Sequence, residues 1–74
     1  MNKKTAEIHL STAFITLGQL LKIAGIIDSG GEAKELLARH AINVDGAPDN
    51  RRGRKLYPGA MVEIEGNAYR ILKR

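Results

Sequence analysis

The fold is decided by the stretch Thr16-Leu17-Gly18-Gln19-Leu20-Leu21-Lys22-Ile23-Ala24-Gly25. Thr16 and Gln19 have the spacing of a capping box, in which two side chains satisfy free amides where a helix begins. Apolar residues then recur at the i, i+3, i+4, i+7 spacing that gives a helix one apolar face; they are Leu17, Leu20, Leu21 and Ala24. Gly25 is typical of the position just after a helix end. The stretch therefore predicts an amphipathic helix.

A second helix is predicted after a short turn. Ser29 and Glu32 repeat the capping-box spacing. Ala33, Leu36 and Leu37 can form the apolar face of this helix. Two helices joined so closely favour a helix-turn-helix-like hairpin.

The segments on both sides of the hairpin alternate between apolar and polar residues, which is the period of a half-buried strand. Strands are predicted at residues 7–11, 42–44, 61–65 and 68–72, with a short extended piece at 56–57. The turn signals beside them are Asp45-Gly46, Pro58-Gly59 and Gly66-Asn67. Residues 47–49 are expected to be irregular, and the polar residues 1–6 to be flexible. The pattern predicts an α+β fold, with the hairpin packed on a small, mainly antiparallel sheet.

Size and composition limit what the chain can do. Its 74 residues make one domain, residues 1–74, with room for a modest core but not for a deep catalytic cleft. It has no cysteine, and no apolar run approaches the length of a membrane span. His9 and His40 lack metal-ligand spacing, and the scattered carboxylates suggest no acid–base pair. We expect a cytoplasmic, monomeric protein without enzymatic activity, metal, cofactor or small-molecule substrate.

Positive charge is concentrated in the segment Asn50-Arg51-Arg52-Gly53-Arg54-Lys55, here called the basic loop, which we expect to be held out into solvent. The net charge of +4 and the pI of about 9.8 favour an anionic partner. Guanidinium groups bind phosphates in a bidentate way, and Gly53 would let the backbone bend or approach a partner closely. The loop thus indicates a nucleic-acid contact, although a solvated loop or a nuclear localisation signal can have the same composition. The scarcity of aromatic residues argues against a base-stacking platform.

Weaker phosphate contacts are expected on the two helices. The amides of Ser29, Gly30 and Gly31 at the start of the second helix favour an anion. A capped turn explains the same residues, and Glu32 opposes an anion there. Lys34 and Lys22 lie on polar helix faces, where each either contacts phosphates or only keeps its helix soluble.

The sequence also resembles the RNA-binding module named after small-subunit ribosomal protein four, over about residues 15–66. The matching positions are Leu17, Leu21, Gly25, Ser29, Ala33, Leu37, Ile42, Val44 and Gly46, with the closing turn and strand at 58–64. The resemblance implies the alpha-L RNA-binding fold and recognition of RNA shape through phosphates and 2′-hydroxyls. Two arginines common in the module are replaced here by Thr16 and Gly30, and His40 replaces a glycine. The basic loop is therefore expected to carry more of the phosphate binding, and whether Thr16 and Gly30 contact RNA stays open.

Residues 15–22, 27–31 and 50–59 are more closely similar to the small stand-alone YaaA-like proteins of bacteria. That resemblance implies a bacterial cytoplasmic protein that binds ribosomal RNA or a ribosomal precursor particle and acts in maturation of the large subunit. The predicted RNA-binding residues are Arg51, Arg52, Arg54, Lys55, Asn50, Lys34, Ser29, Gly30, Gly31, Thr16 and Lys22. The alternative is an adaptor that docks the acidic surface of another protein.

Overall fold

The computed structural model describes residues 5–40, 42–64 and 66–74. Its helices are α1, Leu17–Ile23, and α2, Gly30–Arg39. Its strands are β1, Thr5–Leu10; β2, Ile15–Thr16; β3, Ile42–Val44; β4, Ala47–Asp49; β5, Lys55–Leu56; β6, Met61–Ile64; and β7, Asn67–Lys73. Two helices pack on a small sheet, so the α+β prediction is confirmed.

Helix α1 begins at the capping box that its sequence predicts. Thr16 Oγ1 accepts a hydrogen bond from the Gln19 amide at 3.3 Å, and Gln19 Oε1 accepts one from the Thr16 amide at 2.8 Å. Gly25 has a φ of 76°, so the chain leaves the helix through the left-handed conformation that favours glycine. The predicted apolar face is buried, since Leu20 and Leu21 have no exposed surface.

Helix α2 forms without its predicted capping box, and that prediction is wrong. Ser29 is the N-cap residue, but its side chain makes no capping hydrogen bond. Glu32 instead reaches one residue further back, where its Oε2 accepts a hydrogen bond from the Asp28 amide at 3.2 Å. Burial of Ala33 and Leu37 fixes the helix on the core, as the apolar spacing predicts.

Five strands form one sheet in the order β1-β7-β6-β3-β4. β1 runs parallel to β7, and the other three pairings are antiparallel. β2 and β5 form a separate antiparallel ladder that aligns Thr16 with Lys55. Buried apolar side chains of both helices and of both sheets form one core, which contains no buried polar residue within the described ranges.

Three segments differ from the sequence prediction. Ile15–Thr16 forms strand β2, which the sequence pattern does not predict. Residues 47–49 were expected to be irregular, but the turn at Asp45 and Gly46 (φ of 53° and 84°) folds them back along β3 as β4. Pro48 is tolerated there because β4 is an edge strand. Thr5 and Ala6, which were expected to be flexible, begin strand β1 and pair with β7; residues 1–4 lie outside the described residues.

Candidate nucleic-acid interface

The basic loop lies at the surface, as the sequence predicts, with all its residues exposed except the half-buried Arg54, and its backbone is also hydrogen-bonded to the beginning of α1. The Leu17 amide donates to the Arg54 carbonyl at 2.8 Å, and the Gly18 amide donates to the Arg52 carbonyl at 2.9 Å. Both amides would otherwise be free at the helix start. The β2–β5 ladder holds the end of the loop at the same place. The backbone of the loop therefore has a fixed position, from which its side chains extend.

Gly18 allows this close packing. A Cβ on Gly18 would lie 2.7 Å from Cγ of Arg52, a distance that real Cβ atoms do not tolerate. Gly53 differs, because a Cβ there would meet nothing within 4 Å and its backbone lies outside the left-handed region. The folded chain thus needs glycine at position 18, whereas the expected need for glycine to bend the loop at position 53 is not found.

Asp49, the last residue of β4, organises the cations of the loop. Its Oδ1 accepts hydrogen bonds from the Arg51 amide at 2.9 Å and from Arg51 Nε at 3.1 Å. Its Oδ2 accepts from Arg51 Nη2 at 2.9 Å and from Arg54 Nη1 at 2.8 Å. The Asp49 side chain is 6% exposed, against 69% for Arg51 and 34% for Arg54. A nearly buried carboxylate therefore holds two arginines at the surface.

This arrangement also affects ionisation. The hydrogen bond from the Arg51 side chain, followed by the one from its amide, holds the pKa of Asp49 well below its usual range. The same contact raises the pKa of Arg51. Asp49 is therefore charged at neutral pH and offsets one of the four positive charges of the loop. Arg51 directs two of its five N–H donors to Asp49 and has an edge left for a phosphate.

On one side, the loop and α2 enclose a groove. Lys34 and Ala38 of α2 face Asn50 and Arg52 across a space of about 390 Å³. The groove continues past Arg39 and His40, where a further 420 Å³ extends to β4. Three of the predicted residues, Lys34, Asn50 and Arg52, thus lie together although Lys34 is distant in sequence from the other two.

On its other side, the loop borders a depression of about 530 Å³ that also includes an aromatic residue. Its lining residues are Arg51, Gly53, Arg54, Lys55 and Tyr57. The Tyr57 ring packs on Phe14 with centroids 5.6 Å apart, and Lys55 Nζ lies 5.1 Å from the centre of the Phe14 ring. Cations and an aromatic ring therefore share one surface.

The remaining predicted residues are placed differently. Thr16 caps α1 and aligns with Lys55, so it has a structural role beside the loop. Lys22 is exposed in the last turn of α1 and lines neither the groove nor the depression. Ser29 and Gly31 are exposed around the start of α2, at Gly30, and likewise line neither of them. No group of three or more His, Asp or Glu side chains suited to a metal ion occurs in the described part of the chain.

Asp49, Gly18 and the pair of Phe14 with Tyr57 belong to the site but were not predicted from the sequence. A carboxylate directly before an arginine-rich loop is a signal that could have identified Asp49. A glycine in the first turn of a helix, where most residues fit better, is a signal for Gly18. Nothing in the sequence indicates that Phe14 and Tyr57 meet, because their contact depends on the pairing of β2 with β5.

The fold and this cationic surface define a small α+β binding module, and the chain belongs to the S4 domain family, whose model matches residues 8–72. It is 59% identical over 59 residues to the "Probable ribosome maturation protein RlbA" of Bacillus subtilis, covering 80% of this chain and 83% of that protein. It is 33% identical over 58 residues to the "Putative RNA-binding protein YbcJ" of Escherichia coli, covering 78% and 83%. The predicted family is confirmed, as is the prediction of a protein that is not an enzyme. No helix in the described ranges is long and apolar enough to cross a membrane.

Proposed function

We propose that the protein binds structured RNA, namely ribosomal RNA or a precursor particle of the large ribosomal subunit, and acts as a monomer in ribosome maturation in the bacterial cytoplasm. The observation that carries the proposal is the anchored basic loop, which presents four cations from a fixed backbone. The relatives support it, since one is named a probable ribosome maturation protein and another a putative RNA-binding protein.

The groove between α2 and the loop suits a phosphate backbone. Lys34 stands on the α2 wall, and Asn50 and Arg52 stand on the loop wall. RNA helices are recognised mainly through phosphates and 2′-hydroxyls, because side chains cannot enter the deep A-form major groove. Anchoring by Asp49 lowers the conformational freedom that Arg51 and Arg54 lose on binding. We infer that the loop residues Arg51, Arg52, Arg54, Lys55 and Asn50 dominate affinity and that Lys34 adds to it.

Contacts outside the groove are proposed as secondary. Ser29, Gly30 and Gly31 offer backbone amides at the start of α2, where the helix dipole favours a phosphate. Thr16 retains a hydroxyl proton next to Lys55, and Lys22 offers one charge on α1. An adaptor that docks an acidic protein is the alternative function, and the same cations would serve it.

A salt titration of RNA binding tests the proposal. Log affinity falls linearly with log salt, and each phosphate contact contributes about 0.7–0.9 to the steepness of that slope. Replacing Arg52 or Lys55 by alanine should therefore weaken binding to ribosomal RNA fragments and lower that slope by about one unit. Arg51→Ala and Arg54→Ala should also weaken RNA binding and lower the slope. Each also removes an ion pair with Asp49, so the loop itself should become less ordered.

Arg70→Ala is the matched control. Arg70 is exposed on β7, three strands away from β4 in the sheet. The substitution therefore removes one positive charge, as the loop substitutions do, but at a site away from the loop. Its salt slope should equal that of the unmodified protein. The loop assignment is wrong if the quadruple alanine variant of the loop folds and still binds RNA with unchanged affinity and slope.

A further inference from the structure

Tyr57 is an aromatic residue that the fold fixes in place yet leaves 53% exposed. On one side of it, Leu56 is buried in β5. On the other side, the Ala60 amide donates to the Tyr57 carbonyl at 3.0 Å and closes a turn. The backbone that carries the ring therefore has little freedom.

The ring itself is supported on one side. Phe14, which is half-buried, lies 5.6 Å from Tyr57 between centroids, with the ring planes inclined by 47°. The backbone of Phe14 is fixed in turn, because its carbonyl accepts a hydrogen bond from Thr12 Oγ1 at 2.9 Å. Tyr57 thus has a packed side and a side open to solvent.

Cations lie beside the Tyr57 ring. Arg51, Arg54 and Lys55 line the same depression of about 530 Å³ as Tyr57. A ring that served only to cover Phe14 would be expected to lie flatter on the core and to be less exposed. An aromatic surface beside three cations is the combination that binds single-stranded nucleic acid, because bases stack on rings while cations neutralise the phosphates.

We propose that Tyr57 stacks on an unpaired base of the bound RNA while Arg51, Arg54 and Lys55 contact the flanking phosphates. The site therefore selects RNA in which a loop, bulge or end presents a base, rather than a continuous duplex. This inference rests on the proposed RNA-binding function. The scarcity of aromatic residues argues against a platform that stacks several bases, but stacking of one base needs only the Tyr57 ring.

The test compares two RNAs of equal length and charge, a hairpin with an unpaired loop and a fully paired duplex. Tyr57→Leu keeps an apolar cover on Phe14 but removes the stacking surface. It should weaken binding to the hairpin by about 5- to 150-fold, which equals about 1–3 kcal/mol at 1.4 kcal/mol per tenfold. Duplex binding and the salt slope should not change, because no charge is lost. Tyr57→Phe should bind both RNAs like the unmodified protein.

Tyr57→Trp gives an independent readout, since the chain contains no tryptophan. Stacking on a base should quench the fluorescence of this single indole when the hairpin is added. Unchanged hairpin affinity in Tyr57→Leu, or absence of quenching in a Tyr57→Trp variant that binds the hairpin, overturns the stacking site and leaves RNA binding intact. Failure of the unmodified protein to bind either RNA at low salt overturns the proposed function as well.

Discussion

Replacing Gly18 by alanine should separate the basic loop from α1 without changing any charge. The added Cβ would lie 2.7 Å from Cγ of Arg52 and 3.4 Å from the carbonyl oxygen of the same residue. Cγ is close to the backbone, so moving the flexible end of the arginine cannot relieve the contact. The Arg52 carbonyl accepts the hydrogen bond of the Gly18 amide, and a shift of the loop weakens that bond.

Two opposing effects set how far Gly18→Ala changes the free energy of unfolding. Alanine is favoured over glycine in a helix by at most about 1 kcal/mol. Forcing a methyl group into a packed contact costs about 1–3 kcal/mol, and weakening the hydrogen bonds from Leu17 and Gly18 adds about 0.5–1.5 kcal/mol. The steric cost is larger, so Gly18→Ala should lower the free energy of unfolding by about 0.5–3.5 kcal/mol. RNA affinity should fall too, although every cation remains.

Gly31→Ala is the matched control, because Gly31 is the second residue of α2 as Gly18 is of α1. A Cβ on Gly31 would have Ser29 Oγ as its nearest neighbour, at 3.9 Å. Only the helix preference of alanine then acts, and the free energy of unfolding should stay equal or rise by up to about 1 kcal/mol. Urea unfolding measures both variants, and hydrogen exchange of the Leu17 and Gly18 amides reports the position of the loop. If Gly18→Ala is as stable as Gly31→Ala and its amides exchange equally slowly, the account of loop packing is refuted.

Acidification should loosen the loop through Asp49, whose pKa is lower in the folded protein than in the unfolded chain. The ionised carboxylate stabilises the fold fully above the unfolded-chain pKa of about 4. This stabilisation is lost as the pH falls through the pKa of the folded protein. Asp49→Asn should therefore be less stable at neutral pH and should lose that part of the pH dependence in urea unfolding between about pH 2 and 7; an unchanged pH profile would contradict the role of Asp49. Gly53→Ala should change the free energy of unfolding by no more than about 0.5 kcal/mol, because the added Cβ meets open space. A clear loss of stability would show that the loop needs glycine at this position after all.

Local signals in the sequence were sufficient for α1 and for the turn into β4. Thr16 and Gln19 satisfy each other within four residues, and Asp45 and Gly46 adopt the left-handed conformation that their residue types favour in a turn. The second capping box failed although its spacing was the same. The Glu32 side chain binds the amide of Asp28 instead of that of Ser29. The local sequence does not indicate which of these two amides it will bind.

The candidate site was predictable in its charges but not in its geometry. The arginines of the loop are evident from composition, and Lys34 is a candidate from its place on α2. Their common groove depends on β4 returning along β3 and on the loop docking at Leu17 and Gly18. These are contacts between residues distant in sequence, which periodicity and propensity do not encode.

The most direct test of the central claim is ultraviolet crosslinking of the protein to RNA in cells, followed by sequencing of the attached RNA and mass spectrometry of the attached peptides. We expect enrichment of ribosomal RNA or its precursors, with crosslinks in the peptide that spans residues 50–57. Substitution of the loop cations should abolish that enrichment. Recovery of no enriched RNA, with a single acidic protein bound at the loop in its place, would contradict the account and favour the adaptor function.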